Sequence, residues 1–515
     1  MDQQKAFESQ RASRIIELAA HGKDEAVALA APECQPSTYA DLCDLVANTV
    51  ETLNKLGVGR NDPVAIVLPN GPKMATTFVA IAAGATTAPL NPAYRQDEFE
   101  FYLSDLKAKL LIVEAGGDTP ARKAASKLGI AIAELHSPAG AKAGAFEIKG
   151  EPVSGDAQAI GYAEQDDIAL VLHTSGTTSR PKIVPLSHGN VCATAANIRE
   201  SLALTPEDCC LNIMPLFHIH GLMAAILGTL GAGASVFCTP GFNALKFFAW
   251  MKEANPTWYT AVPTMHQTIL DRAARNRDII EGGRLRFIRS SSASLPPQIM
   301  KKLEHTFNAP VIEAYGMTEA AHQMASNPLP PQKRKPGTVG IAAGPEVSIM
   351  DEDGKLLPQG SIGEVVIRGA NVTHGYQSNP KANASAFDNG WFRTGDQGIV
   401  DEDGYLRLTG RLKEIINRGG EKISPREVDE ILMDHQHVKQ AVTFAVPHDK
   451  LGEDVAAAIV LNADAMITEK EIRAFASRKL ADFKIPKKVI FLDEIPKGAT
   501  GKLQRIGLAE KLGLA

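Results

Sequence analysis

Residues 168–188 read Ile-Ala-Leu-Val-Leu-His-Thr-Ser-Gly-Thr-Thr-Ser-Arg-Pro-Lys-Ile-Val-Pro-Leu-Ser-His, and the change of character inside this stretch decides how the chain is read. Ile168 to Leu172 is an apolar run of strand length that stops at His173, where hydroxyls, a glycine and two cations take over. Thr174, Ser175, Thr177, Thr178 and Ser179 place hydroxyls around Gly176, whose missing side chain lets backbone N–H groups come close to an anion. Arg180 and Lys182 add positive charge. Such a loop suits a polyphosphate, whose several oxygens need hydrogen bonds while their charge is neutralised. The Gly-x-x-x-x-Gly-Lys-Ser/Thr spacing of the common nucleotide loop is absent.

The rest of the chain supplies the setting for this loop. With 515 residues, 44% of them apolar, it is long enough for two or more hydrophobic cores. A net charge of −5 offers no basic surface for nucleic acid. The six cysteines show no Cys-x-x-Cys pair, which argues against both zinc and a disulfide framework. Two long uncharged stretches, Met74 to Tyr94 and Gly221 to Leu245, are interrupted by prolines or glycines and read as buried helix, turn and strand rather than membrane insertion. The amino terminus carries charges where a signal peptide needs an apolar core, and Gly513-Leu514-Ala515 is no peroxisomal address, so a cytoplasmic location is expected.

Taken in order, Asp41 to Leu56 has helical apolar spacing stopped by Gly57, Val64 to Leu68 is a strand, Lys73 to Ala83 a helix, and Thr86 to Leu90 and Lys109 to Glu114 further strands. Residues 137–166 read as an irregular connection. Beyond the loop come a helix over Asn190 to Leu202 and a strand over Cys210 to Pro215, leading to His218 and His220 around Ile219. These histidines are either satisfied core residues or pocket residues at a strand end. Strands follow at Trp258, Leu285 to Ser290 and Val311 to Tyr315. Gly363 to Arg368 and Gly390 to Asp396 belong to a more β-rich region, with acidic turns at Asp351 to Gly354 and Asp401 to Gly404 that lack the full calcium-loop pattern and read as hairpin turns. From Glu421 a compact unit begins, with a helix from Pro425, strands over Gln440 to Val446, Val455 to Leu461 and Lys487 to Phe491, and a capping box of Thr468 with Glu471. The expected class is α/β: a large N-terminal domain of parallel-sheet α/β layers with a β-rich subdomain, then a small α+β C-terminal domain on a hinge.

The loop resembles the signature of the acyl-adenylate-forming enzymes, Thr-Ser-Gly-Thr-Thr-Gly-x-Pro-Lys-Gly, with Ser179 and Ile183 in place of two family glycines. The resemblance extends over nearly the whole chain. It implies an AMP-binding domain over 1–410 and a mobile C-terminal domain over 411–515, with Thr174, Ser175, Gly176, Thr177, Thr178 and Lys182 holding the phosphates of ATP. The block Glu313-Ala314-Tyr315-Gly316-Met317-Thr318-Glu319 would hold adenine, with Thr318 on the α-phosphate and Glu319, together with Thr174, on Mg²⁺. Asp396 would bind the ribose, Arg411 would also reach the nucleotide, Lys413 would be the hinge, and Lys502 would be the adenylation lysine. Gly419 and Gly420 would approach CoA. Two half-reactions are implied: a carboxylate attacks the α-phosphate of ATP, and the thiol of CoA then takes the acyl group.

Where relatives that accept long or aromatic acids carry Ser-Gly-Gly-Ala-Pro, this chain has Ser290-Ser291-Ser292-Ala293-Ser294. Hydroxymethyl groups in place of glycine narrow the pocket and make it polar. Ser292, His218, His220 and His322 supply donors for a second carboxylate, which is costly to bury without them. The chain resembles most closely the branch of the family that activates oxalate. A medium-chain or 4-coumarate-type acyl-CoA ligase is the alternative within the class, and a nucleotide-binding regulator without chemistry the alternative outside it.

Overall fold

A computed structural model describes residues 12–155, 157, 159–174, 181–463, 465–496 and 503–515. Two large sheets share one layer of helices. The seven-stranded sheet runs in the order 147–150, 131–136, 110–114, 63–67, 86–89, 168–173, 183–187, with a parallel centre and an antiparallel pair at each edge. The nine-stranded sheet is parallel through 27–30, 235–238, 209–212, 258–261, 287–290 and 311–317; strands 322–326 and 341–342 return antiparallel at one edge, and the two-residue strand 37–38 pairs antiparallel with 27–30 at the other. Between them lie the helices Tyr39–Lys55, Pro72–Ala82 and His188–Ser201, whose apolar faces join residues of both sheets in one core. The expected parallel sheet covered on both faces is therefore two such sheets, each covered on its outer face by further helices. A separate antiparallel sheet of five strands (346–350, 362–368, 387–388, 391–400, 406–411) forms the β-rich part. Residues 416–491 build another five-stranded sheet with the helices Pro425–Met433 and Glu469–Ala476 packed on it.

Several expectations shift for identifiable reasons. Residues 137–166 contain a strand, Glu147–Gly150, recruited by antiparallel pairing with the edge strand Ala131–His136. The strand expected over Cys210 to Pro215 ends at Asn212, whose side-chain oxygen accepts from the Met214 N–H at 3.0 Å and turns the chain. His220 therefore opens a π-helix, His220–Leu227, instead of ending a strand. A hairpin unseen in the sequence joins Ile416–Arg418 to Glu421–Ile423, and its turn is Gly419 and Gly420 at φ +59° and +98°, a backbone that glycine adopts without penalty. Both acidic turns are hairpin turns: Asp351 Oδ1 accepts from the N–H groups of Asp353 and Lys355, and Lys335 lies between Asp401 and Asp403. Among the described residues no helix is long and apolar enough to cross a membrane.

One feature of the nine-stranded sheet positions the site directly. The pairing of Val311–Met317 with His322–Ser326 slips by one residue between Tyr315 and Gly316, a bulge that brings Gly316 against the chain opposite. A Cβ on Gly316 would stand 1.7 Å from the His322 carbonyl oxygen. Gly316→Ala is expected to cost about 3 kcal/mol of stability, measured by urea unfolding, because backbone cannot yield as a side chain does.

Candidate active site

A cavity of about 730 Å³ opens between the strand ends of the large sheet and the C-terminal unit. Ser292, Ala314, Tyr315 and Gly316 line it from the nine-stranded sheet, Asp396 and Arg411 from the antiparallel sheet, and Arg426, Glu430, Gln504 and Arg505 from the C-terminal unit. At its floor the Tyr315 hydroxyl donates to Asp396 Oδ2 at 2.5 Å, while Arg411 Nε stands 3.1 Å from Asp396 Oδ1. The buried carboxylate is thus oriented from two sides, and it raises the Arg411 pKa by its charge.

The hydroxyl-rich stretch lies between the two strands of an antiparallel pair, Ile168–His173 with Ile183–Ser187. Its neck is closed by the Thr174 N–H donating to the Lys182 carbonyl at 2.9 Å and the Lys182 N–H donating to Thr174 Oγ1 at 3.3 Å. Ile183 is the first residue of the returning strand and is buried, so the family glycine is replaced where a side chain finds a core. Ser175, Gly176, Thr177, Thr178 and Lys502 lie outside the described residues. Thr318 and Glu319 form a short 3-10 turn after the strand Val311–Met317. Burial raises the Glu319 carboxyl, and among the described residues no ion pair compensates it; its partner is the Tyr376 hydroxyl, which donates to Oε1 at 2.9 Å. A buried carboxylate with no ion pair among the described residues, beside Thr318 in the chain, is a donor that fits Mg²⁺, which is commonly held by one or two carboxylates plus substrate phosphates.

Beside Ser292 the structure gathers a polar cluster. His220 Nδ1 lies 2.9 Å from Ser292 Oγ, and His220 Nε2 lies 2.6 Å from Thr260 Oγ1. The rings of His220 and His322 stack at 5.0 Å, and Arg289 sits behind both, its Nη1 3.3 Å from His220 Nε2 and its Nη2 3.1 Å from His322 Nε2. Guanidinium groups only donate, so both Nε2 atoms accept and both imidazoles carry their hydrogen on Nδ1. His220 then donates to Ser292, which leaves the serine O–H directed to another acceptor. Arg289 is completely buried, and burial without a carboxylate partner among the described residues pushes its pKa down to about 9. Ser292 at φ +72° and His322 at φ +102° hold backbone conformations that side chains rarely adopt.

Of the residues singled out from sequence, Tyr315, Asp396 and Arg411 meet around one carboxylate, Lys182 and Glu319 meet around Tyr376, and Thr174 is bonded to the Lys182 main chain. His220 and His322 meet around Arg289, with Ser292 on the other ring nitrogen of His220, whereas the His218 ring packs on Phe217 at 4.5 Å. Ala314 lines the cavity, but the Glu313 carboxyl is tied to the Leu295 N–H at 2.8 Å and does not line it. Gly419 and Gly420 form their hairpin turn outside the cavity lining, and Lys413 sits in the 3-10 turn Leu412–Glu414. Arg289 and Tyr376 were missed. The first had a signal, a cation in the middle of the buried strand Phe287–Ser290; the second had none.

Comparison with known proteins agrees with this geometry. The model of the AMP-binding enzyme family matches residues 16–377, and that of the AMP-binding enzyme C-terminal domain matches 427–502. The chain belongs to the AMP-binding enzyme family. An oxalate–CoA ligase of Arabidopsis thaliana is 48% identical over 91% of this chain and 92% of its own length, and an oxalate–CoA ligase of Saccharomyces cerevisiae is 43% identical over 94% of each. A sulfoacetate–CoA ligase of Cupriavidus necator is 33% identical over 96% of this chain and 97% of its own length. Among solved structures, ATP-bound MatB from Rhodopseudomonas palustris superposes with a TM-score of 0.87 at 30% identity over 97% of this chain and 98% of that one. This AMP-binding enzyme is accordingly an AMP-forming acyl-CoA ligase, with ATP and CoA as substrates.

Burial pushes the Glu313 carboxyl of this AMP-binding enzyme up to about 8 from its ordinary 4.5. A raised carboxyl favours the folded state fully below the ordinary value, and that advantage is lost as pH rises through the folded value. The unfolding temperature of Glu313→Gln should therefore gain on that of the unaltered protein between about pH 5 and 9, measured by differential scanning fluorimetry; parallel profiles would contradict a buried proton.

Proposed function

We propose that the protein activates oxalate as oxalyl adenylate and transfers the oxalyl group to CoA, releasing pyrophosphate and AMP. The observation that carries this reading is Arg289. A guanidinium at zero exposure with no carboxylate partner among the described residues costs several kcal/mol unless an anion shares its surroundings. It lies behind His220 and His322, and His220 adjoins the cavity-lining Ser292. A second carboxylate beside Ser292 would receive the serine O–H and feel the uncompensated charge behind it. A long alkyl or aromatic acid would leave both without an answer. The oxalate–CoA ligases at 48% and 43% identity support the same reading, as does the sulfoacetate–CoA ligase, named for another two-carbon acid with a second anionic group.

In the first step an oxalate oxygen attacks the α-phosphorus and the bond to the bridging oxygen breaks, with pyrophosphate leaving on its own electron pair. The nucleophile is already an anion, so no general base is required; alignment and charge neutralisation remain to be supplied. Lys182, Ser175, Gly176, Thr177 and Thr178 would cradle the phosphates, Thr318 would touch the α-phosphate and Lys502 would reach the bridging oxygens. Asp396 would hold the ribose, Arg411 would reach the nucleotide beside it, and Ala314 and Tyr315 would hold the adenine. Glu319 and Thr174 would hold Mg²⁺, which supplies charge neutralisation on the phosphate oxygens when bound. In the second step the CoA sulfur attacks the acyl carbon and AMP leaves. Rotation at Lys413 would withdraw Lys502 and bring the Gly419–Gly420 turn towards the thiol.

Carboxylate-dependent pyrophosphate release, with ATP, Mg²⁺ and CoA, tests the reading on oxalate, sulfoacetate, acetate, octanoate and 4-coumarate. Oxalate should be preferred, Ser292→Gly should raise its KM about tenfold, and Lys502→Ala should abolish release while retaining ATP binding. Preference for octanoate or 4-coumarate would overturn the substrate and leave the ligase standing. Thermal stabilisation by ATP with no pyrophosphate from any acid would favour a nucleotide-binding regulator.

A further inference from the structure

Tyr376 stands between two groups of opposite charge. Its hydroxyl donates to Glu319 Oε1 at 2.9 Å, and the Lys182 ammonium lies 4.3 Å from the centre of its ring. No ion pair within 4.0 Å joins Lys182 to Glu319, although both side chains touch this one tyrosine. The tyrosine is 7% exposed and its main chain is held at both polar groups by Asn383, with distances of 2.7 and 2.9 Å. Its neighbours are lashed to the same two loops: the Thr373 N–H donates to the Glu319 carbonyl at 2.8 Å and the Gln377 N–H to the Ile183 carbonyl at 3.0 Å. The ring is therefore fixed in the frame that carries both charged side chains.

We infer that Tyr376 is a positioning residue that keeps Lys182 and Glu319 apart, so that one remains available to phosphate and the other to the metal cation. A lysine and a carboxylate placed this close, with little water between them, collapse into an ion pair when nothing intervenes. Such a pair would occupy the phosphate-binding cation and the metal-binding anion together. The phenol prevents it from both sides: its hydroxyl answers the carboxylate, and the electron-rich face of its ring holds the ammonium. This inference rests on the roles proposed above for Lys182 and Glu319.

Titration calorimetry of ATP binding, once in EDTA and once with Mg²⁺, separates the two duties. Tyr376→Phe keeps the ring and loses the hydroxyl, so its metal-free ATP affinity should stay within about twofold while the Mg²⁺ enhancement falls about tenfold. Tyr376→Leu removes both and should lose about tenfold in metal-free affinity, as Lys182 turns to Glu319. Adding Glu319→Gln to Tyr376→Leu should restore that metal-free affinity to within about threefold, because the competing anion is gone. A double variant no better than Tyr376→Leu, or a Tyr376→Phe indistinguishable from the unaltered protein under both conditions, would overturn the spacer. If Tyr376→Leu does not fold, Tyr376→Phe alone decides, since it leaves the packing intact. An unaltered protein whose ATP affinity ignores Mg²⁺ would overturn the cation assignment itself, and the spacer with it.

Discussion

A guanidinium with no exposure, placed in the middle of a nine-stranded sheet without a carboxylate beside it among the described residues, constrains everything around it. Arg289 can only donate, so its neighbours have to accept: two imidazole Nε2 atoms, the Thr260 hydroxyl and the Gln323 amide oxygen. That demand sets the tautomer of both histidines and, through His220, the direction of the Ser292 hydroxyl. The left-handed backbone of Ser292 and His322 belongs to the same arrangement, in which His322 Nε2 meets the guanidinium and Ser292 Oγ meets His220. Strain of this kind persists where the surrounding structure determines it many times over, and here the sheet, the π-helix and the bulge at Gly316 all converge.

The nucleotide end obeys a different logic. Its charged groups come from elements remote in sequence, and the antiparallel sheet draws them together. Residues 371–377 tie the returning strand of the phosphate loop to the turn that carries Glu319: Asn371 donates to the carbonyls of Ala320 and Gln323, and Thr373 Oγ1 to that of Pro185. The same sheet delivers Asp396 to Tyr315 and Arg411 to Asp396. What looks like an appendage to the two large sheets is the clasp that holds their loops in register with each other. On the far side of the cleft, Arg505 joins Glu414 to Asp429, at 3.2 and 2.9 Å, so the segment after Arg411 is bound to the C-terminal unit within three residues.

Much of this was legible in the residues because local rules govern it. The helices Tyr39–Lys55 and Pro72–Ala82 show in apolar spacing and in their glycine and proline punctuation, and the hydroxyl-rich loop after Leu172 announces a phosphate chemistry on composition alone. The serine and histidine content of the acyl end already pointed to a small polar acid. Less legible were features that depend on what lies opposite: the strand Glu147–Gly150 exists only because an edge accepts it, and the hairpin at Gly419 reads as a flexible pair of glycines until its two strands are seen. The choice between His218 and His220 turned on where the chain leaves the strand: it ends at Asn212, and the helix that opens at His220 carries that ring to Ser292 and Thr260.

The sequence by itself determined the class of fold, the order of the motifs and the kinds of atoms that could meet ATP and an acid, since these follow from local periodicity and side-chain chemistry. Only the tertiary structure decided which charges stand alone and which are answered. Arg289 in a strand of four residues, or Tyr376 in a loop, has no meaning until burial removes water and fixes its neighbours. Electrostatic roles belong to surroundings assembled from distant segments, and those surroundings are what folding supplies.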